Sequence, residues 1–190
     1  MKLVAVVLAA GRAVRFGGDK MSAVLSGLPL LHHAVIAARA APVERVIVVT
    51  RPGIDVGEWA GSPPVETIRL VSDALSDSLK TGIREADGAD GAFVFLGDMP
   101  AVSHLEAHRL AAGIADSYAA MPVIDGRPGH PVLLSARAFP DICALSGDQG
   151  AGRLLNKRAD VFRTQCADAS AQRDVDRPED LERWTSRQAD

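Results

Sequence analysis

The stretch LVAVVLAAG, residues Leu3–Gly11, decides the fold predicted for this chain. Its first six residues are apolar and rich in valine, a pattern typical of a strand buried on both faces of a parallel sheet. Similar elements alternate along the chain, with strands at 46–49, 65–71 and 92–96 and helices at 30–40, 78–86 and 103–114. This alternation predicts an α/β fold with a mostly parallel central sheet.

Length and composition exclude several classes of protein. A chain of 190 residues is the size of one domain. With 21 Lys and Arg against 24 Asp and Glu, the net charge of −3 excludes a strongly basic, general nucleic-acid binder but leaves room for a local basic pocket. Because aromatic residues make up only 4%, base-stacking platforms for single strands are not expected.

The cysteines and the first apolar run indicate a cellular compartment. Cys143 and Cys166 form neither a disulfide framework nor a zinc-binding spacing, and we interpret both as small buried hydrophobes. The first apolar run is too short for a secretory signal or a membrane span. We therefore expect a cytoplasmic protein with reduced thiols and no membrane partner.

The loop after the first strand carries the pattern expected of an anion site. Ligands of parallel sheets bind beyond the carboxyl ends of the strands, and residues 9–20 follow such an end. Glycines in this segment let backbone N–H groups converge on an anion. Three cations, Arg12, Arg15 and Lys20, suit a triphosphate, although neither a Walker loop nor a dinucleotide fingerprint is present.

Three carboxylates are candidates for a metal site. Asp98 follows the strand at 92–96, where a fixed carboxylate could hold Mg²⁺ against phosphate oxygens. Asp174 and Asp176 alternate along an extended segment, and either could complete the site. Turn or helix-capping roles for Asp98 and Asp176 stay open at this point.

Taken together, these segments resemble the molybdenum cofactor nucleotidyltransferases, from residue 3 to about residue 183. The shared motifs are AAG at 9–11, RFG at 15–17 followed by Lys20, GLPLL at 27–31, SDSLKTG at 76–82, GDMP at 97–100, GHPV at 129–132, GDQGA at 147–151 and DVDRPEDL at 174–181. The resemblance implies a Rossmann-like three-layer sandwich of the nucleotide-diphospho-sugar transferase type. It also implies a single domain over 1–190, with a nucleotide-binding half at about 1–117 and an acceptor-binding half at about 118–190.

Within this family, the Ala9-Ala10-Gly11 form resembles the cytidylyltransferases, since guanylyltransferases carry Ala-Gly-Gly there. A methyl group in place of hydrogen narrows the base pocket and favours a pyrimidine. The implied reaction transfers CMP from CTP to the terminal phosphate of molybdopterin and releases pyrophosphate. Its product, molybdopterin cytosine dinucleotide, would serve a molybdenum hydroxylase such as an enzyme of the xanthine dehydrogenase type.

The resemblance also implies residue roles. Arg15, Lys20 and Asp98 would be catalytic, and Asp98 and Asp176 would hold Mg²⁺, with Mn²⁺ as a second option. The nucleotide-binding residues would be Leu8, Ala9, Ala10, Gly11, Arg12, Lys20, Asp73, Ser78 and Leu79. The acceptor-binding residues would be His130, Asp148 and Arg153.

Other functions fit the same residues. One is guanylyl transfer to the same cofactor, and another is nucleotidyl transfer to a sugar phosphate. From a different class, a non-catalytic accessory protein would bind the cofactor and deliver it to a client enzyme. That protein would need no site for a metal and a triphosphate, so the set of Arg15, Lys20, Asp98 and Asp176 favours an enzyme.

Overall fold

The fold is centred on one eight-stranded sheet, in a computed structural model that describes residues 1–11, 13, 15–72, 74–147 and 150–187. The strands are β1 (Leu3–Ala9), β2 (Val24–Leu25), β3 (Leu28–Pro29), β4 (Arg45–Thr50), β5 (Val65–Arg69), β6 (Gly91–Leu96), β7 (Ala119–Ile124), β8 (Arg127–Pro128), β9 (Val132–Ser135) and β10 (Val161–Gln165). The α-helices are α1 (Leu30–Arg39), α2 (Leu75–Glu85), α3 (His104–Gly113), α4 (Phe139–Cys143), α5 (Gly152–Asn156) and α6 (Pro178–Arg187). Short 3₁₀ turns lie at Ala136–Ala138 and Ala169–Gln172.

Strand order in the main sheet is β10-β7-β9-β6-β1-β4-β5, and β8 pairs with β7. β1 pairs in parallel with both β4 and β6, and β4 pairs in parallel with β5. β9 runs antiparallel to its neighbours β6 and β7, whereas β10 is parallel to β7. The predicted α/β fold with a mostly parallel sheet is confirmed, and one continuous sheet joins the two halves of the chain.

Helices cover both faces of the sheet, as the continuous apolar strands predict. Side chains alternate along β1, so Ala5 and Val7 pack on the face covered by α1 and α3. Val4 and Val6 pack on the opposite face with residues of α2, α4 and α5. The core is built mainly from alanine, valine, leucine and isoleucine, because the chain has few aromatic residues.

The contact between α2 and β1 depends on one glycine. A Cβ atom placed on Gly82 would lie 2.3 Å from Cγ1 of Val6, so a larger residue would push the helix off the strand. The glycine of the SDSLKTG motif therefore lets α2 lie close to β1. This position brings Ser78 and Leu79, one turn earlier, towards the carboxyl end of β1.

A small hairpin and the last helix form a separate apolar cluster. β2 and β3 pair antiparallel through a two-residue turn at Ser26 and Gly27, both with positive φ, as hairpins of this length require. Leu25 and Leu30 pack with Val175, and Leu181 and Trp184 of α6 join them. This cluster fixes the chain just before α6, where Asp174 and Asp176 lie.

Most predicted elements are observed, with a few differences. α2 begins at Leu75 rather than at residue 78, because polar residues such as Asp77 are favourable in a first helical turn. β5 ends at Arg69 instead of reaching residue 71. The hairpin and α4 were not predicted, since elements of two to five residues carry no readable periodicity. Among the described residues, no helix has the length and apolar character needed to span a bilayer.

Candidate active site

The candidate site lies where the strand order turns around β1, with β4 on one side and β6 on the other. In open α/β sheets, ligands bind outside the carboxyl ends of the strands at such a point. The loop containing Arg15 and Lys20 leaves the carboxyl end of β1, and Asp98 follows β6 by two residues. The fold therefore brings the first two predicted motifs to one edge of the sheet.

Gly97 allows the two strand ends to approach closely. Its N–H donates to the Leu8 carbonyl at 2.9 Å, which continues the pairing between β1 and β6 by one residue. A Cβ atom on Gly97 would lie only 3.0 Å from Cβ of Ala9 and 3.0 Å from Sδ of Met21. A larger residue next to Asp98 would have to push these neighbours aside, so glycine allows the close approach of the two strand ends.

The segment containing Asp174 and Asp176 is tied to the end of β6 by its backbone. The N–H of Val175 donates to the Asp98 carbonyl at 2.9 Å, and the Val175 side chain is fully buried. This hydrogen bond and the burial of the Val175 side chain place Asp176 beside Asp98, although the two aspartates are far apart in sequence.

Lys20 lies between two carboxylates. Its Nζ donates to Oδ2 of Asp98 at 2.7 Å and lies 3.4 Å from Oδ1 of Asp176. Arg15 donates to the other oxygen of Asp176 at 3.1 Å. The Lys20 side chain is only 9% exposed, whereas Arg15 is 75% exposed, so the lysine forms the interior of the cluster and the arginine its rim. Four of the residues predicted to bind the triphosphate or the metal, Arg15, Lys20, Asp98 and Asp176, therefore meet.

Asp180, not Asp176, provides the polar contacts at the start of α6. Its Oδ2 accepts N–H groups from Arg177 at 2.9 Å and from Asp176 at 3.0 Å. These backbone donors, that of Arg177 first, hold the pKa of Asp180 below its usual value. The helix-capping alternative for Asp176 is thus wrong, since its carboxylate contacts Lys20 and Arg15 instead.

Asp174 lies near the cluster but has a different environment. It lines a cleft of about 330 Å³ that also contains Arg127, His130 and Gln172. Burial raises the pKa of Asp174, and the neighbouring carboxylates of Asp176 and Asp98 add to this effect. Of the two aspartates that could have completed a metal site with Asp98, Asp176 is the one that shares a lysine with it.

A more enclosed and largely apolar cavity of about 230 Å³ joins the two halves of the chain. Leu8 and Leu79 line it from the predicted nucleotide-binding set, and His130 lines it from the predicted acceptor-binding set. Ala151 and Gly152 at the start of α5 complete this wall. Members of both predicted sets therefore line the same cavity.

His130 borders both the apolar cavity and the polar cleft. Its Nδ1 lies 3.3 Å from the Val94 carbonyl. Burial lowers the pKa of His130, with the Val94 carbonyl and Asp98 acting in the opposite direction. A lowered pKa favours the neutral form of the imidazole at pH 7.

The remaining predicted residues have varied positions. Ala9, Ala10, Ser78 and Leu79 are buried around the carboxyl end of β1, and Gly11 is exposed. Arg153 is exposed on α5, just after the residues that line the apolar cavity. Arg12, Asp73 and Asp148 lie outside the described residues, so their predicted roles stay predictions.

Sequence reasoning did not single out several polar residues near the site. Arg127 and Gln172 line the cleft with Asp174, and Nε2 of Gln172 donates to the carbonyls of Arg127 and Ile124 at 2.7 and 3.1 Å. Arg51 and Ser72, which follow β4 and β5, line an open groove beside Gly18 and Asp19. Their positions after parallel strands were a usable signal for Arg51 and Ser72, but no motif marks Arg127 or Gln172.

The donor set fits a divalent cation that is shared with a substrate. Within the part of the chain that the structure describes, no group of three or more His, Cys, Asp or Glu side chains could hold a metal alone. Asp98 and Asp176 could offer such an ion carboxylate oxygens from two separate segments of the chain. Mg²⁺ is commonly held by one or two carboxylates together with substrate phosphates, so two protein ligands are sufficient for this kind of site.

The mostly parallel sheet has the fold of the nucleotide-diphospho-sugar transferases, and it brings a basic loop after the first strand next to a carboxylate after the neighbouring strand. Residues 5–161 match the MobA-like NTP transferase domain, and the chain belongs to this family. It is similar to the purine catabolism protein PucB of Bacillus subtilis (strain 168), with 32% identity over 165 residues that cover 80% of each chain.

Two solved structures have the same fold. The homologue of Mycobacterium tuberculosis Rv0371c from Mycobacterium sp. strain JC1 is 29% identical, with a TM-score of 0.82 over 97% of this chain and 96% of that one. A manganese complex of Rv0371c from M. tuberculosis H37Rv is 20% identical, with a TM-score of 0.81 over 98% and 99% of the two chains.

Proposed function

We propose that this protein transfers a cytidylyl group from CTP to the terminal phosphate of molybdopterin. The observation that carries the proposal is the cluster in which Lys20 contacts Asp98 and Asp176 at the carboxyl ends of β1 and β6. A cation and a pair of oxygen ligands are what a triphosphate and its metal require at one place. The partners of the protein are thus two small polyanions rather than a nucleic acid or a membrane.

The reaction is an in-line displacement at phosphorus. A terminal phosphate oxygen of molybdopterin attacks the α-phosphorus of CTP, the bond from that phosphorus to the α,β-bridging oxygen breaks, and pyrophosphate leaves with the bonding electrons. A phosphate monoester is mostly a dianion at pH 7, since its second pKa is about 6, so the step requires no general base. We assign His130 to binding of the acceptor, since it lines the apolar cavity together with Leu8 and Leu79.

The main barrier is repulsion between the two polyanions. Two like unit charges 4 Å apart repel by about 4 kcal/mol at an effective dielectric constant of 20. Lys20 and Arg15 offset this repulsion at the triphosphate, and Lys20 also stabilises the charge that develops on pyrophosphate. Asp98 and Asp176 would hold Mg²⁺ or Mn²⁺, which when bound supplies charge neutralisation and polarises the phosphate oxygens. The manganese in the Rv0371c complex supports a divalent ion in this fold.

The proposed CTP preference rests on the Ala9-Ala10-Gly11 motif and on the buried position of the Ala10 methyl group. The Ala10 methyl is buried in the same apolar cluster as Leu79, so it limits the space at the end of β1. The molybdopterin assignment is supported by the family and by PucB, whose name places that relative in purine catabolism. Because xanthine is a purine, a molybdenum hydroxylase of the xanthine dehydrogenase type is the client enzyme that we propose.

A pyrophosphate-release assay with ATP, CTP, GTP and UTP, each with and without molybdopterin, tests the proposal. We expect release with CTP and molybdopterin together and little release with either one alone. Release with GTP instead would assign guanylyl transfer. Release with a sugar phosphate as acceptor would assign another substrate, and cofactor binding without pyrophosphate release would favour the accessory, non-catalytic function.

Replacing Ala10 with glycine should shift the nucleotide preference towards GTP. Removal of one buried methyl group widens the pocket, and at about 0.8 kcal/mol per methylene we expect the CTP-to-GTP ratio of kcat/KM to fall about fourfold. The measurement is pyrophosphate release with each nucleotide at limiting concentration. An unchanged ratio in a folded variant would remove Ala10 from the set of residues that select the base.

A further inference from the structure

The Lys20 ammonium occupies the position between Asp98 and Asp176 that the proposed function gives to a divalent cation. We propose that Lys20 acts as an internal competitor, which keeps metal ions off the two carboxylates until a triphosphate draws the ammonium away. This inference rests on the proposed metal-binding role of Asp98 and Asp176. It adds an order to binding, in which the metal joins the site together with the nucleotide and not before it.

Burial makes the competition effective. The side chains of Lys20 and Asp98 are 9% and 26% exposed, so water and salt screen their contact less than they screen a surface ion pair. The distance of 2.7 Å from Nζ to Oδ2 is that of a charge-assisted hydrogen bond. A metal ion that approached Oδ2 of Asp98 would have to break this bond, and near either oxygen it would be repelled by the ammonium until the lysine moved.

The backbone of Lys20 is held while its side chain can move. Its N–H donates to the Gly18 carbonyl at 3.1 Å, and its own carbonyl accepts from Ala23 at 3.2 Å. The next residue, Met21, is buried in the main core. The lysine side chain has four methylene groups joined by rotatable bonds beyond this fixed point. Its ammonium carries three donors that point in different directions. The charge can therefore pass from carboxylate to phosphate oxygens without rearrangement of the loop.

Arg15 does not provide the same competition. Within the described part of the chain, its ion pair is with the outer oxygen of Asp176, and its side chain is 75% exposed. Ion pairs at that exposure contribute little, because both groups are well hydrated and screened. Lys20 is the cation that touches both carboxylates, so its removal should have the larger effect on metal affinity.

The competition explains how one lysine can serve two stages of binding. In the free protein, the single charge of Lys20 offsets the repulsion between two carboxylates. When a triphosphate arrives with its cation, the phosphate oxygens offer the ammonium a more negative partner. Asp98 and Asp176 then become available for the metal ion. A divalent ion without a nucleotide brings no phosphate oxygens to which the Lys20 ammonium can move, so the ion binds weakly.

Titration of the nucleotide-free protein with Mn²⁺ alone, followed by the electron paramagnetic resonance signal of unbound Mn²⁺, tests the proposal. We expect Lys20→Met to lower the dissociation constant on the order of tenfold or more, since the ion no longer has to break a hydrogen bond between charged groups. Lys20→Gln, which removes the charge but keeps an amide donor, should shift the constant in the same direction. It also serves if the methionine variant does not fold.

Two further variants test whether a gain in Mn²⁺ affinity comes from the contact between Lys20 and Asp98. Arg183→Met removes one positive charge at the same end of the molecule, but Arg183 is 78% exposed and pairs with Asp180, so Mn²⁺ affinity should not change. Adding Asp98→Asn to Lys20→Met should abolish the gain. Equal or weaker Mn²⁺ binding by both folded Lys20 variants overturns the proposal, as does a gain that survives Asp98→Asn.

The outcome is independent of the proposed reaction. No turnover is measured, so a protein that fails to use CTP and molybdopterin could still show the gain in Mn²⁺ affinity. Conversely, an active cytidylyltransferase whose Lys20 variants bind Mn²⁺ no more tightly would retain the proposed function and lose this inference.

Discussion

Replacing Asp98 with alanine should abolish nucleotide-dependent pyrophosphate release, a fall of at least about a thousandfold, while the fold remains intact. The side chain contributes an oxygen ligand from the end of β6 and a 2.7 Å contact with Lys20, and alanine provides neither. The Asp98 carbonyl still accepts the Val175 N–H, so the segment leading to α6 should keep its position. Pyrophosphate release with saturating Mg²⁺ and a thermal melt of each variant are the measurements.

The same strand offers a matched control. Asp90 immediately precedes β6, at the opposite end from Asp98, and its carboxylate accepts the Lys2 backbone N–H at 2.6 Å. Asp90→Asn removes the same charge far from the candidate site, so activity should stay at the level of the unmodified protein. If Asp98→Ala retained activity with Mg²⁺, Asp98 would not belong to the metal site.

Replacing Lys20 with methionine should lower kcat/KM for CTP by about 10²–10³, the range found when a single group that stabilises developing charge is lost. Methionine keeps much of the volume of the nearly buried stem, so the loss is mainly one of charge. We expect the fall mainly in kcat, since the ammonium stabilises the departing pyrophosphate more than the bound substrate. Steady-state kinetics over a range of CTP concentrations separate the two parameters.

Lys2→Met is the control for this change, because Lys2 is an exposed lysine just before β1, at the opposite end of that strand. An unchanged kcat/KM in Lys20→Met would contradict the catalytic role of Lys20. The same variant is expected to bind Mn²⁺ more tightly in the absence of nucleotide. Opposite changes in turnover and metal affinity would distinguish the loss of one cation from general damage to the site.

Prediction from the sequence succeeded where a pattern extended over many residues. The strands at Leu3–Ala9 and Gly91–Leu96 were readable because their apolar residues follow one another almost without interruption over six or seven positions. It failed for the hairpin of β2 and β3, where each strand has two residues and the turn glycine is one of many. It also started α2 three residues late, because serine and aspartate favour both turns and first helical turns.

Some residues of the candidate site could also be predicted from the sequence, and others could not. Residues that follow parallel strands, such as Lys20 and Asp98, could be assigned to one edge of the sheet from their order in the sequence. The choice between Asp174 and Asp176 could not be made, because alternation places both on one side of an extended chain. Tertiary contacts decide it: burial of Val175 and the hydrogen bond from its N–H to Asp98 bring the neighbouring Asp176 to Lys20.

The sequence by itself determined the α/β class, the edge of the sheet where ligands bind and the residue types available there, because strand periodicity and residue order are local properties. Only the tertiary structure decided that Lys20 lies between Asp98 and Asp176, 156 residues from the latter. The physical reason is that the direction of a side chain and the charge it meets depend on packing between distant segments. Here that packing is the small apolar cluster of the hairpin, Val175 and α6.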